Sequence, residues 1–490
     1  MAPSAFGDAL LGAIASDTDR LAIIGATGEG WSRGDLAAAI AQVGTALRSA
    51  GFGAGARVAI AIPDGPLAAV TILAVACHAV AIPLPDDTDA ATVRWIDAIQ
   101  PDLVITAEVR RPLREALQER GISAAMLSGS GPQARLMVME DRAVGGDQPG
   151  RSGIAFLMLT SGSTGVPKQI PRTGENVVTA TMTYGHAIGL HPDDRALTAM
   201  PLHHSHGLMA GVVMPLLLGG STVVLSGMEV EGVGRALAER RPTWVTGGPA
   251  LHQRMLARLS EERMPSVRFV RCASDRLTPE LRVRLAEVYR APVITSYGVT
   301  ECPFATAQHP EVPIDPDGVG VPIVDLAVLD RNWQPVAIGE IGAIGVRGAA
   351  VSPVGRVGDG WYLPGDLGQL LPSGALRYVG RTREAIRRGS EEIDPGAIEA
   401  VIGGLDGVAE VAVFPLEHEV LGEDIGAAVV LRSGREVTAR DVRQAVLRGL
   451  PASCVPRRIW VVSALPTTST GKIARAMVRE SAERAGELLG

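Results

Sequence analysis

Short apolar runs recur along this chain, each separated from the next by a segment with helical spacing. Val58-Ala-Ile-Ala-Ile62, Val80-Ala-Ile82, Leu103-Val-Ile105, Leu197-Thr-Ala-Met200, Thr222-Val-Val-Leu225, Trp244-Val-Thr246, Val267-Arg-Phe-Val270 and Val293-Ile-Thr295 read as strands. Ser32-Arg-Gly-Asp35 reads as a capping box, Leu36, Ile40, Val43 and Leu47 follow at helical spacing, and Gly51 ends that helix. Leu67 to Ile82 is the longest apolar stretch; Pro83 closes it, and it reads as a core helix followed by a strand. Strands alternating with helices imply parallel sheets with helices on their faces. From about Asp315 the pattern changes to short strands and Gly/Pro turns. The expected architecture is α/β: a large N-terminal domain of parallel sheets with helices (1–382), a β-rich subdomain within it (about 315–380), and a small C-terminal α/β domain (383–490).

One stretch points to chemistry. Phe156-Leu-Met-Leu159 is an apolar strand, and Thr160-Ser-Gly-Ser-Thr-Gly-Val-Pro-Lys168 follows it. Gly162 and Gly165 let the backbone turn its N–H groups toward an anion. Thr160, Ser161, Ser163 and Thr164 add hydroxyl donors, and Lys168 adds a point charge. A Walker loop needs Gly before the lysine and Ser or Thr after it; Pro167 and Gln169 stand there instead. Of 46 basic residues only Lys168 and Lys472 are lysine, and both lie in Ser/Thr/Gly loops. A compact ammonium is evidently wanted at both places.

Composition narrows the partners. A net charge of -7 and scattered arginines argue against nucleic acid as a partner. Cys77, Cys272, Cys302 and Cys454 show no paired metal spacing and imply a reducing compartment. Met1 to Asp17 lacks a basic leader, and no run is long enough to span a membrane, so a cytoplasmic protein is expected.

The order of motifs resembles the adenylate-forming superfamily of acyl-CoA synthetases, peptide-synthetase adenylation domains and luciferases, from about Ile24 to Arg475. Thr160–Lys168 is similar to its phosphate-binding signature, and Ser296-Tyr-Gly-Val-Thr-Glu301 to its tyrosine-threonine-glutamate motif. Gly339-Glu-Ile-Gly342 with Val346-Arg-Gly348 precedes a candidate ribose-binding aspartate, Asp366. Gly380-Arg-Thr-Arg-Glu384 resembles the hinge, centred on Arg383, and Lys472 the terminal catalytic lysine. The resemblance implies ATP, Mg2+ and CoA as cofactors. Tyr297 and Gly298 would meet adenine, Thr300 the α-phosphate, Glu301 the metal, and Asp366 and Arg381 the ribose. Ser274 and Asp275 lie on the adenine side, Asp275 either as an acceptor for the amino group or as a helix cap. Lys472, Thr300, Glu301 and His204 are the implied catalytic residues.

The acyl pocket is expected from His204, His206, Trp244, Gly247, Ser296 and Val299, and the thiol tunnel at Gly389 and Ser390. The histidine segment with Thr243 to Gln253 is similar to the oxalate- and malonate-like CoA ligases. Amino-acid-activating members place an acid in the first pocket segment; here it holds His203, His204, Ser205 and His206, which equally suit a polar layer between helix and sheet. The sequence departs from the family at Pro364, at the hinge Arg383, at Cys272–Leu277, and at Ser390, where a second glycine is usual. The implied activity is formation of an acyl-AMP from a small or aromatic carboxylic acid, then transfer to CoA, by a monomer or homodimer. The alternatives are a stand-alone ligase serving a carrier protein or an amine, and a non-catalytic nucleotide-binding homologue.

Overall fold

The computed structural model describes residues 4–26, 28–85, 88–108, 111–129, 131–139, 153–160, 168–225, 230, 232–259, 266–313, 315–381, 386–389, 391–467 and 473–489. The chain divides into two units. One comprises Met1–Leu326, Val346–Tyr362 and Ser373–Leu376; the other comprises Ala327–Gly345, Leu363–Pro372 and Arg377–Gly490.

The first unit is built on two seven-stranded sheets. One has the order Arg135–Val138, Ser123–Ser128, Leu103–Thr106, Arg57–Ala61, Val80–Pro83, Ile154–Thr160, Lys168–Thr173. Its inner pairs are parallel, and antiparallel strands close both edges. The other has the order Val293–Ser296, Phe269–Ala273, Trp244–Gly247, Arg195–Thr198, Ser221–Val224, Leu21–Ile24, Gly30–Ser32, parallel except for the last pair. The helix Pro66–Ala76 lies in the core shared by both sheets and buries ten of its eleven residues. A helix apolar on every side has no solvent face to offer, which is why this segment carries no polar stripe. Ser32 and Asp35 form the expected capping box of Arg33–Ser49, and Leu36, Ile40, Val43 and Leu47 are its buried face.

The segment after the histidines is not an ordinary α-helix. His206–Val213 is a π-helix that passes into a short α-helix, Met214–Leu217. Pro215 has no N–H, and in an α-helix its ring would crowd the carbonyl of Gly211. That carbonyl accepts from Thr222 Oγ1 at 2.6 Å instead. A Cβ on Gly207 would stand 2.2 Å from the Pro201 carbonyl oxygen, and one on Gly211 2.7 Å from Thr198 Cγ2. The wide turn therefore lies flush on the preceding strand, with glycine at both contacts.

The second unit contains most of a four-stranded sheet, ordered Asp325–Leu329, Ile341–Arg347, Asp366–Leu370, Leu376–Arg381. Its C-terminal part packs the long hairpin Val408–His418 and Gly422–Leu431 against the helices Pro395–Gly403 and Ala439–Gly449. Among the described residues, no helix is long and apolar enough to cross a membrane.

Candidate active site

Parallel neighbours bring their carboxyl ends to one edge, and in open α/β sheets that edge is where ligands are met. In the second sheet the register pairs Thr246 with Arg271 and Ala273 with Ser296. Three sequence-predicted segments therefore end side by side: Gly247, Ser274, and Ser296 with Tyr297.

Beneath this edge lies a buried polar layer. Arg271 is 2% exposed and donates from Nε to the Tyr184 hydroxyl at 2.8 Å, from Nη1 to His206 Nε2 at 2.7 Å, and from Nη2 to Ser296 Oγ at 2.9 Å. Thr246 Oγ1 lies 3.2 Å from Nη1 and 2.7 Å from His206 Nε2. His206 Nδ1 is 2.7 Å from Ser274 Oγ. The guanidinium also lies over the rings of Tyr184 and Phe304, which stack on each other at 4.4 Å. Among the described residues no carboxylate pairs with Arg271. His206 thus belongs to a hydrogen-bonded layer between helix and sheet. His204 Nδ1 accepts the His206 backbone N–H at 3.3 Å. Burial pushes the His203 imidazole down to about 4. Trp244 is fully buried and stacks on Phe269 at 5.5 Å, two residues before Thr246 on the same strand. Asp275 is exposed and accepts from the next backbone N–H at 2.8 Å. The cap of Pro279–Tyr289 is Thr278, so the capping alternative for Asp275 is excluded.

The second cluster joins the hairpin after Thr160 to the turn holding Glu301. Thr160 and Lys168 face each other across the hairpin. Lys168 Nζ donates to Glu301 Oε1 at 2.8 Å and to the Tyr362 hydroxyl at 3.4 Å. The lysine is 53% exposed and the glutamate 9%, so the pair contributes less than about 1 kcal/mol and a ligand can part it. Val299 and Cys302 exchange two backbone hydrogen bonds of 2.9 Å, which leaves Thr300 and Glu301 at the tip of a tight turn. Gly298 enters that turn against the Pro303 carbonyl, leaving no room for a Cβ. From behind, the buried Arg172 donates to the Glu301 carbonyl at 2.6 Å and to the Ala350 carbonyl at 3.1 Å. Burial lowers Arg172 to about 10, so it is still a cation at neutral pH.

In the second unit Arg381 Nε donates to Asp366 Oδ1 at 2.9 Å, with Asp366 1% exposed. Gly389 has φ 64 and donates its N–H to the Leu421 carbonyl at 2.8 Å. The neighbouring Arg388 is engaged with the buried Asp424 at 3.0 Å and with the Ser453 carbonyl. Ser161, Gly162, Ser163, Thr164, Gly165, Arg383, Ser390 and Lys472 lie outside the described residues.

Sequence reasoning missed Arg271, Arg172, Tyr184 and Tyr362. The one available signal was a charged residue interrupting an apolar strand, as Arg271 does in Phe269-Val-Arg-Cys-Ala273.

The model of the AMP-binding enzymes matches residues 12–354, and that of their C-terminal domain matches 397–472. The chain belongs to the AMP-binding enzyme family. Its enzyme class is that of the AMP-forming acid–thiol ligases. This AMP-binding enzyme is 30% identical to the probable CoA ligase CCL9 of Humulus lupulus, over 89% of this chain and 88% of that one. It is 31% identical to an oxalate–CoA ligase of Arabidopsis thaliana over 66% and 67%. The ATP-bound MatB from Rhodopseudomonas palustris shares the fold, with a TM-score of 0.86 over 98% and 99% of the chains at 24% identity.

Proposed function

We propose that this enzyme activates a compact carboxylic acid lacking an α-amino group as its acyl-adenylate and passes the acyl group to the thiol of CoA. The observation that carries the reading is the layer of Tyr184, His206, Thr246, Arg271, Ser274 and Ser296. Among the described residues it contains a buried cation and no carboxylate. Such a floor attracts an anionic substrate and repels an ammonium group. A small acid such as that used by the oxalate–CoA ligase relative suits it.

In the first half-reaction a carboxylate oxygen attacks the α-phosphorus of ATP, and pyrophosphate leaves. Lys168, with the hydroxyls and amides of the 160–165 loop, is assigned to the phosphates, Thr300 to the α-phosphate and Tyr297 to adenine. Asp366 with Arg381 is assigned to the ribose hydroxyls, and Lys472 to the charge that develops between carboxylate and phosphate. Glu301 can hold Mg2+. The described residues contain no cluster of three or more potential ligands, so a resident all-protein metal cage has no support there. A single carboxylate suits Mg2+, which uses one or two carboxylates and fills its shell with phosphate oxygens and water. In the second half-reaction the CoA sulfur attacks the acyl carbon and AMP leaves. The hinge role of Arg383 and the thiol path at Gly389 are part of the same reading. Ser390 stands where a second glycine is usual in the thiol path, and the alternative acceptors are a carrier protein or an amine.

The test is pyrophosphate release across a panel of small diacids, aromatic acids and α-amino acids, with thioester detected by mass spectrometry. Release with small or aromatic acids and formation of an acyl-CoA are expected. Release with α-amino acids alone would overturn the acid assignment. Adenylation without any acyl-CoA would overturn the choice of thiol.

A further inference from the structure

We infer that Arg271 is a positioning residue that fixes the His206 ring in one tautomer and, through it, sets Ser274 to donate its hydroxyl hydrogen toward the substrate side of the site. The inference rests on the proposed reading only in giving Ser274 a substrate to face.

The argument starts from what an arginine can do. A guanidinium carries N–H donors and no acceptor. Arg271 Nη1, which can only donate, lies 2.7 Å from His206 Nε2 and favours a lone pair on that nitrogen; the Thr246 hydroxyl, also 2.7 Å away, then serves as a donor rather than an acceptor. A proton on Nε2 would point at a permanent cation. The ring is therefore neutral with its proton on Nδ1, and Nδ1–H donates to Ser274 Oγ at 2.7 Å. Ser274 Oγ is an acceptor in that bond, and its own hydrogen has no acceptor among the described residues. The second observation concerns the backbone. Ser274 sits at φ 75, where glycine is at ease and a residue with a Cβ is not. Residues held in such conformations cluster at functional sites. The turn after Phe269–Ala273 thus keeps a hydroxyl where conformation alone favours glycine.

Among the described residues, groups from four elements meet His206 or the guanidinium beside it. Arg271 and Ser274 belong to one strand and the turn after it, Thr246 to the adjacent strand, and His204 to the turn before the π-helix; Tyr184 reaches the same guanidinium from Gly174–Ala187. Arg271 is the only permanent charge among these. Removing it frees Nε2 to take a proton, and a cationic ring lying between Thr246 and Ser274 would reorient both hydroxyls.

The experiment combines spectroscopy with kinetics on the full chain. Isotope-labelled histidine and long-range proton–nitrogen NMR read the tautomer directly, with the His206 signal assigned by its loss in His206→Asn. The wild-type ring should show the neutral Nδ1–H pattern from about pH 5 to 8, across the usual imidazole range. In Arg271→Met the signal should titrate, and kcat/KM for pyrophosphate release should gain an acid limb the wild type lacks. Ser274→Ala should leave the tautomer as it is and lower kcat/KM by about tenfold, the loss expected for one hydrogen bond to a charged group. The double variant should lose little more than the worse single, because the two act in series. A wild-type ring with its proton on Nε2 overturns the inference without any variant being needed. So does a kinetically silent Ser274→Ala, or losses that simply add. If no acid releases pyrophosphate, the proposed function fails while the tautomer measurement still decides the Arg271–His206 link.

Discussion

Replacing Gly298 with alanine should damage both catalysis and stability. The added Cβ would stand 2.1 Å from the Pro303 carbonyl oxygen, 2.5 Å from its carbon and 3.1 Å from the Cys302 oxygen. All three are backbone atoms, so no side chain can swing aside. Relief needs the chain after the turn to retreat by roughly 1 Å, and overpacking of that kind costs about 1–3 kcal/mol. The same shift breaks the two Val299–Cys302 hydrogen bonds of 2.9 Å, whose net contribution is about 1–3 kcal/mol together. The expected destabilisation is about 2–6 kcal/mol, partly relieved by relaxation. Thr300 and Glu301 ride on the tip of that turn, and a 1 Å misplacement of a reacting group lowers the rate by about a hundredfold. Thermal unfolding and pyrophosphate release should be measured side by side, with Gly234→Ala as control, because a Cβ on that helical glycine meets nothing within 4 Å. The control should match the wild type or exceed its stability. Gly298→Ala with wild-type pyrophosphate release would refute the claim that this turn sets the position of Glu301.

Other outcomes follow from the same structure. Lys472→Ala should abolish acyl-adenylate formation while thioester formation from supplied acyl-AMP survives; normal pyrophosphate release in that variant would remove Lys472 from the mechanism. Asp366→Ala should weaken ATP binding by about 1.5–3 kcal/mol, read by calorimetry, and unchanged affinity would end its assignment to the ribose. Burial raises Cys77 and Cys272 to about 12 and Cys302 to about 11. In the native protein only Cys454 should alkylate at neutral pH, with all four reacting after unfolding. Above pH 9 the folded state holds thiol protons that the unfolded chain has released, so stability should fall as pH rises toward 11 and 12. The mirror case is His203 and His252, which burial lowers to about 4. Between pH 6.5 and 4 the unfolded chain binds the extra protons, and denaturant titrations should show several kcal/mol lost as pH falls through that window.

What could be read from the sequence was whatever local pattern decides. The capping box at Ser32 and Asp35 and the strand at Trp244 depend on neighbours within a few residues, and all formed close to where they were expected. Glu301 and Tyr297 were visible because they share one short motif. Arg172 and Arg271 were not. Their partners lie 129 and 87 residues away in the chain, at the Glu301 carbonyl and the Tyr184 hydroxyl, and no periodicity reports such a meeting. In sequence, Asp275 stood as a possible cap of Pro279–Tyr289. Only backbone geometry shows that Thr278 accepts from Leu281 while Asp275 turns back on its own neighbour. The π-helix was hidden for the same reason. It follows from Gly207, Gly211 and Pro215 acting together against a strand.

That wide helix has a consequence for how the enzyme can change. Side chains on a helix advance by about 100° per residue. Deleting one residue between Leu208 and Val213 would let this π-helical segment relax toward ordinary α-helical hydrogen bonding. It would also turn His206 away from Thr246 and Ser274 by that angle. Substitutions can tune this element one side chain at a time, whereas an insertion or deletion rewrites the polar layer in a single step. Length variation among working variants should therefore fall elsewhere, and a library of single-residue deletions scored for activity should show a gap over His206–Val213.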